Sequence, residues 1–177
     1  MDIYFLRHAS AGEPKMNPAR DDERKLDKEG VEQSHTVGCA LAALKVTLDA
    51  VISSPLPRAS ETAKIVAEEI GHESKVLTDA ALKPGATYDD FQELLHRHSG
   101  KHAVMVVGHN PSMTEFLNKL LMGDSASDAV ELKKAAIAKV EKEGRKPAIL
   151  KWFMPPKVVR AIQQGSAKSS RPKTVSK

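Results

Sequence analysis

Two arginines and two histidines in this chain each stand just beyond a short apolar run. Arg7 and His8 follow Ile3 to Leu6. Arg58 follows Ala50 to Ile52 by way of Ser53-Ser54-Pro55-Leu56-Pro57. His109 follows Ala103 to Val107 through Gly108, and Asn110-Pro111 come next. A neutral imidazole is a competent nucleophile toward phosphorus near neutral pH, because its unperturbed pKa is about 6.5. Guanidinium groups bind phosphoryl oxygens bidentately and spread over transition-state charge. A second histidine, protonated, would add a donor on the opposite side. Gathered together, His8, Arg7, Arg58 and His109 could attack, bind and stabilise a phosphoryl group, and no metal or other cofactor is required.

They meet only if the three apolar runs are neighbouring strands. The runs are near-continuous rather than alternating, as expected of parallel strands covered on both faces. Helical patterns lie between them. Asp27 can cap a helix running to about Leu44, and Ala59, Thr62, Ala63, Val66 and Ile70 keep helical spacing after Pro57. Thr87 with Asp90 has the form of a capping box before Phe91, Leu94, Leu95 and His98. Pro111 can open a helix with Met113, Phe116, Leu117, Leu120 and Leu121 on one stripe. Strands alternating with helices predict a three-layer α/β/α sandwich with a mostly parallel central sheet. In such a sheet ligands bind beyond the carboxyl ends of the strands, beside helix N-termini suited to anions. Glu131 to Glu141 is helical by composition, yet Ala136, Ala138 and Val140 also fall on one face of a strand. Gly144 to Pro147 then reads as a turn into a strand at Ala148 to Phe153.

The 177 residues, 41% apolar and 28% charged, fit one globular domain with a core on both faces of a sheet. No apolar run approaches the ~20 residues of a membrane span, so no membrane partner is expected. Met1-Asp2-Ile3-Tyr4-Phe5 lacks the basic region of a signal peptide, and Cys39 is the one cysteine, so a cytoplasmic location is expected. Of the net charge of +4, all can be placed in the last residues, where Lys168, Arg171, Lys173 and Lys177 meet no acid. A domain over residues 1–160 is therefore expected, with a loosely attached, basic, Ser/Lys-rich tail over 161–177. A tail of this kind is no strong ground for a nucleic-acid partner.

Leu6-Arg7-His8-Ala9 resembles the arginine–histidine motif of the histidine phosphatase, or phosphoglycerate mutase-like, superfamily. Ser53 to Ala59 with Glu61-Thr62-Ala63 resembles its second arginine segment, and Val107 to Pro111 its second histidine segment. Three motifs in the family's order, each after an apolar run, are specific where each alone is not. Arg24-Lys25-Leu26-Asp27-Lys28-Glu29-Gly30, Leu82-Lys83-Pro84-Gly85 and Trp152 to Pro156 are similar to elements of the small SixA-type phosphohistidine phosphatases. The resemblance implies that His8 accepts the phosphoryl group while Arg7, Arg58 and His109 hold its oxygens. It implies a further binding role for Arg24, with Arg20 as its rival, and a strand within Glu131 to Glu141. A phosphorylated substrate, and a phosphohistidine protein in particular, is the expected partner. A small phosphomonoester and a non-catalytic phosphate-binding role are the alternatives.

One departure bears on the substrate. Many phosphomonoesterases of this superfamily carry a carboxylate acid, but Asn110 follows His109 here, and Asp79, Asp89 and Asp90 are only neighbours of Leu82 to Thr87. An alkoxide leaving group needs that proton more than an imidazole does, since the other imidazole nitrogen can already carry one. The short gaps after His8 and after Lys83 hold no large cap over the site. His96, His98 and His102 have metal-like spacing but no accompanying Asp or Cys, so they are read as core or surface residues. Cys39, Met105, Met113 and Met122 are expected in the core.

Overall fold

The computed structural model describes residues 1–123, 129–144 and 146–169, with side chains described as far as residue 162. One six-stranded sheet runs through the chain in the order β3-β2-β4-β1-β5-β6. Its strands are β1 (Asp2–Arg7), β2 (Ala50–Ser53), β3 (Leu77–Thr78), β4 (Ala103–Gly108), β5 (Ile137–Glu141) and β6 (Ile149–Met154). β3, β2, β4 and β1 are parallel, and β5 and β6 complete the sheet as an antiparallel pair. The three apolar runs are thus the adjacent strands β2, β4 and β1.

Alternate residues of β1, β2 and β4 serve opposite cores. Ile3 and Phe5 of β1 point to the side filled by Phe91 and Leu94 of α4 (Tyr88–Arg97) and by Phe116 and Leu117 of α5 (Ser112–Met122). Tyr4 and Leu6 point to Val37 and Leu41 of α2 (Lys28–Ala43) and Val66 of α3 (Pro57–Glu69). Both faces of these three strands are covered, which is why they are near-continuous apolar runs. The result is a three-layer α/β/α sandwich with a mostly parallel sheet.

Local chemistry sets the helix starts. Asp27 caps α2 through Gly30 N–H, Pro57 opens α3, and Thr87 with Asp90 forms the capping box of α4. At Gly30 a Cβ would lie 1.9 Å from the Ser10 carbonyl oxygen, so only glycine lets α2 press on the loop that leaves β1. The stretch with helical composition does contain a strand, β5. Its entry turn places Ala135 at φ 58°, and Ala135 N–H is shared between the carbonyls of Arg7 and His8. Pairing with β1 and burial of Ala136, Ala138 and Val140 outweigh helix propensity there.

Several expectations are corrected. Cys39 is exposed and its thiol donates to Glu69, because Val37, Gly38 and Leu41 form the buried face of α2 instead. Met122 ends α5 half in solvent, and His98 is the C-cap of α4 rather than a member of its buried stripe. The stretch expected as tail is helical at its start: α6 (Pro156–Ser169) crosses residue 160, with Val159 buried. The rest of that stretch, 170–177, lies outside the described residues. A five-residue helix α1 (Pro18–Asp22) and a single 3-10 turn at Ala80–Leu82 were not foreseen. Among the described residues no helix is long and apolar enough to cross a membrane.

Candidate active site

Sheet register brings the predicted residues together. Arg7 pairs with Gly108, so His8 and His109 leave neighbouring strands side by side. His8 N–H donates to Gly108 O at 3.0 Å and Ser54 N–H to Val107 O at 2.8 Å, extending the ladder past the strand ends. Arg58 enters from the first turn of α3, where Thr62 ties it to the loop: Thr62 Oγ1 donates to Arg58 O and accepts from Ala9 N–H. Arg7, His8, Arg58 and His109 line a crevice of about 340 Å³ at the carboxyl ends of the strands, where an open parallel sheet is expected to bind its ligand. A larger groove of about 1100 Å³ between α4, α5 and the 142–147 turn holds none of the predicted site residues.

His8 is buried, and its Nδ1 lies 2.7 Å from the Ala9 carbonyl. A carbonyl only accepts, so the proton sits on Nδ1 and Nε2 keeps its lone pair. The His8 and His109 rings are 4.9 Å apart between centroids. His109 Nε2 is 2.9 Å from Ser54 Oγ, while His109 Nδ1 is buried without a protein partner. Both arginines are anchored the same way. Arg7 Nη1 donates to Leu132 O at 3.0 Å and Arg58 Nη1 to Asp21 O at 2.7 Å, and in both the buried Nε has no protein partner. Each guanidinium is thereby fixed at one nitrogen and left with donor capacity at another. Buried donors without partners are rare in folded proteins, and three at one strand-end crevice suit an oxyanion.

Burial sets the charge states. It pushes His8 down to about 4, against the hydrogen bond to Ala9, and Arg58, Arg7 and Arg24 lower it further. His109 is pushed down to about 2, first by burial and then by His8 and the same arginines. The expected protonated second histidine is therefore corrected: at neutral pH both rings are neutral. Burial also lowers Arg7 and Arg58 from their ordinary value, yet an arginine stays charged across the physiological range.

Arg24 reaches the crevice and Arg20 does not, since Arg20 is exposed on α1. Arg24 is held by Asp21 and by the carbonyls of Ala11 and Gly12. Asn110 uses both ends of its amide on structure, donating to Leu132 O and accepting from Thr114. Asp79 pairs with Arg97 and Asp90 caps α4. Sequence reasoning missed two carboxylates, because α1 brings Asp21 and Asp22 to the crevice wall. Asp21 is held below the usual carboxylate range, chiefly by its hydrogen bonds from Arg24. It also missed Ser54 and Lys134. Ser54 belongs to the second arginine segment, and the three-residue spacing from Asp21 to Arg24 was a readable signal; Lys134 had none. His96, His98 and His102 do not build a metal site, and no metal-holding group of three or more His, Cys, Asp or Glu occurs among the described residues.

The sequence pattern of the histidine phosphatase superfamily (branch 1) matches residues 3–83. An uncharacterized protein of Picosynechococcus sp. is 30% identical over 140 residues, 77% of this chain and 82% of that protein. Among solved structures, the protein histidine phosphatase SixA complexed with tungstate superposes with a TM-score of 0.76 at 24% identity, covering 89% of this chain and 98% of that one. A candidate phosphohistidine phosphatase SixA of Agrobacterium tumefaciens gives 0.73 at 22%, covering 88% and 98%. The chain belongs to the histidine phosphatase superfamily, with a SixA-like fold. It is a phosphatase of that superfamily.

Proposed function

We propose that His8 is the nucleophile and that the substrate is a phosphohistidine displayed on another protein. The observation that carries this reading is the single crevice lined by His8, whose Nε2 is left free by the Nδ1 contact, and by Arg7, Arg58 and His109, each with a buried ring or guanidinium nitrogen that has no protein partner. His8 Nε2 attacks phosphorus while the P–N bond to the substrate imidazole breaks, and that ring leaves with its bonding pair. Its other nitrogen carries a proton or takes one from water, so no carboxylic acid has to act. Water then attacks the phosphoryl group on His8, releasing phosphate and restoring the imidazole. Arg7 and Arg58 hold the equatorial oxygens through both steps. With Ser54 Oγ–H donating to His109 Nε2, 2.9 Å away, the proton of that neutral ring sits on Nδ1, the atom without a protein partner. The arginines supply the charge stabilisation, so turnover is expected to persist in a chelator.

Among the described residues, the position after His109 offers no acid, which favours the P–N bond. Asn110 is committed to Leu132 and Thr114, and Asp21 is held ionised. A second reading rests on Asp22, an exposed carboxylate at the crevice that could protonate the alkoxide of a small phosphomonoester. Rates on a phosphohistidine protein, a phosphoramidate and alkyl phosphates, measured in a chelator for wild type and Asp22→Asn, separate the two. The phosphohistidine reading expects P–N substrates to lead and Asp22→Asn to be neutral. Alkyl phosphates in the lead, with their rate lost in Asp22→Asn, would transfer the assignment to the ester.

A further inference from the structure

Asp21 touches both arginines on the α1 side of the crevice. Its Oδ1 accepts from Arg24 Nε at 3.0 Å and its Oδ2 from Arg24 Nη2 at 3.2 Å, a bidentate pair. The same Oδ2 lies 3.5 Å from Arg58 Nη2, a looser contact, while Asp21 O accepts from Arg58 Nη1 at 2.7 Å. Lys15 N–H, donating to Oδ1 at 2.8 Å, fixes the carboxylate from its outer side. The side chains of Arg24 and Arg58 are 11% and 5% exposed, so two guanidinium groups share this wall with little water between them. Burial lowers Arg58 most, and repulsion from Arg24 lowers it further. The carboxylate set between them offsets it.

We infer that Asp21 is a positioning residue that acts as a built-in counter-anion: it clamps Arg24, and its weak contact with Arg58 Nη2 is exchanged for a phosphoryl oxygen when ligand binds. This rests on the phosphatase reading of the crevice and adds to it a limit on how tightly phosphate is held. Arg58 stays anchored through Nη1 on the Asp21 carbonyl, so only the loose contact has to be exchanged. A carboxylate beside the bound dianion repels it and speeds product release. Removing one partly screened charge at this range strengthens binding of a dianion by about tenfold.

Inorganic phosphate is the probe. Its affinity for wild type, Asp21→Asn, Asp21→Ser and Asp21→Glu is measured by calorimetry and as competitive inhibition of phosphoramidate turnover. The expected result is about tenfold tighter phosphate in Asp21→Asn and Asp21→Ser, narrowing in high salt, with lower kcat. Asp21→Glu, which keeps the charge, stays within a few-fold of wild type. A merely structural role for Asp21 would loosen phosphate and could not tighten it. Unchanged or weaker phosphate binding in a folded, charge-removing variant overturns the inference while leaving the phosphatase reading intact. Wild type that binds phosphate but turns over no phosphorylated substrate overturns the phosphatase reading itself.

Discussion

The neutral, buried state of His8 should appear as a pH dependence of stability that a non-titrating side chain abolishes. In the fold His8 titrates at about 4, against about 6.5 in an unfolded chain. Between those values the unfolded chain binds more protons, so stability falls as acid is added, starting near pH 6.5 and levelling off near pH 4. The shift corresponds to about 3.4 kcal/mol when fully developed, of which about 2 kcal/mol accrues between pH 7 and pH 5. His8 is only 6% exposed, so solvent screening takes little from that figure. Urea unfolding of wild type and His8→Gln at pH 7 and pH 5 forms a cycle in which the intrinsic cost of the substitution cancels. Wild type should lose about 2 kcal/mol more than His8→Gln on going to pH 5. Equal losses in the two proteins, or a larger loss in the variant, would refute a buried neutral His8.

Arg58→Lys should lower kcat/KM by about a hundredfold although the charge is kept, since the single nitrogen of an ammonium cannot span the Asp21 carbonyl and the ligand as the planar guanidinium fork does; steady-state kinetics on a phosphoramidate checks it, and a loss under threefold would count against the anchored fork. Ser54→Ala removes the hydrogen-bond partner of His109 Nε2 and should cost about tenfold in kcat and about 1–2 kcal/mol in stability, read from turnover and urea melts. Gly30→Ala sets a methyl 1.9 Å from Ser10 O. It should destabilise by about 2–4 kcal/mol and slow turnover by displacing the loop after His8, with thermal melting and rate measured together.

Much of the fold was legible because the strands obey a simple rule. Ile3 to Leu6, Ala50 to Ile52 and Ala103 to Val107 are continuous because both sheet faces are covered, and the caps at Asp27 and Thr87 and the helix-opening Pro57 mark their helices locally. The convergence of Arg7, His8, Arg58 and His109 followed from one assumption, that the three strands are adjacent, and β2-β4-β1 satisfies it. What local signals could not supply was set by tertiary contact. Lys134 reaches the crevice only because Ala135 turns against the backbone of Arg7 and His8. Asp21 matters through Arg58, distant in sequence. Cys39 looked apolar in context, but Gly38 is the residue α3 packs on, where a Cβ would meet the Glu69 side chain at 2.5 Å. The protonation of His109 was misjudged because burial and the surrounding cations are invisible in a linear sequence.

The most direct measurement is a trap of the reacting enzyme: rapid mixing with a phosphoramidate, quench into alkali where phosphohistidine survives, and peptide mapping by mass spectrometry. One phosphoryl group on the peptide holding His8, borne on Nε2 and absent in His8→Gln, is the predicted result. Turnover with no phosphorylated His8, or with the phosphoryl group on another residue, would contradict it.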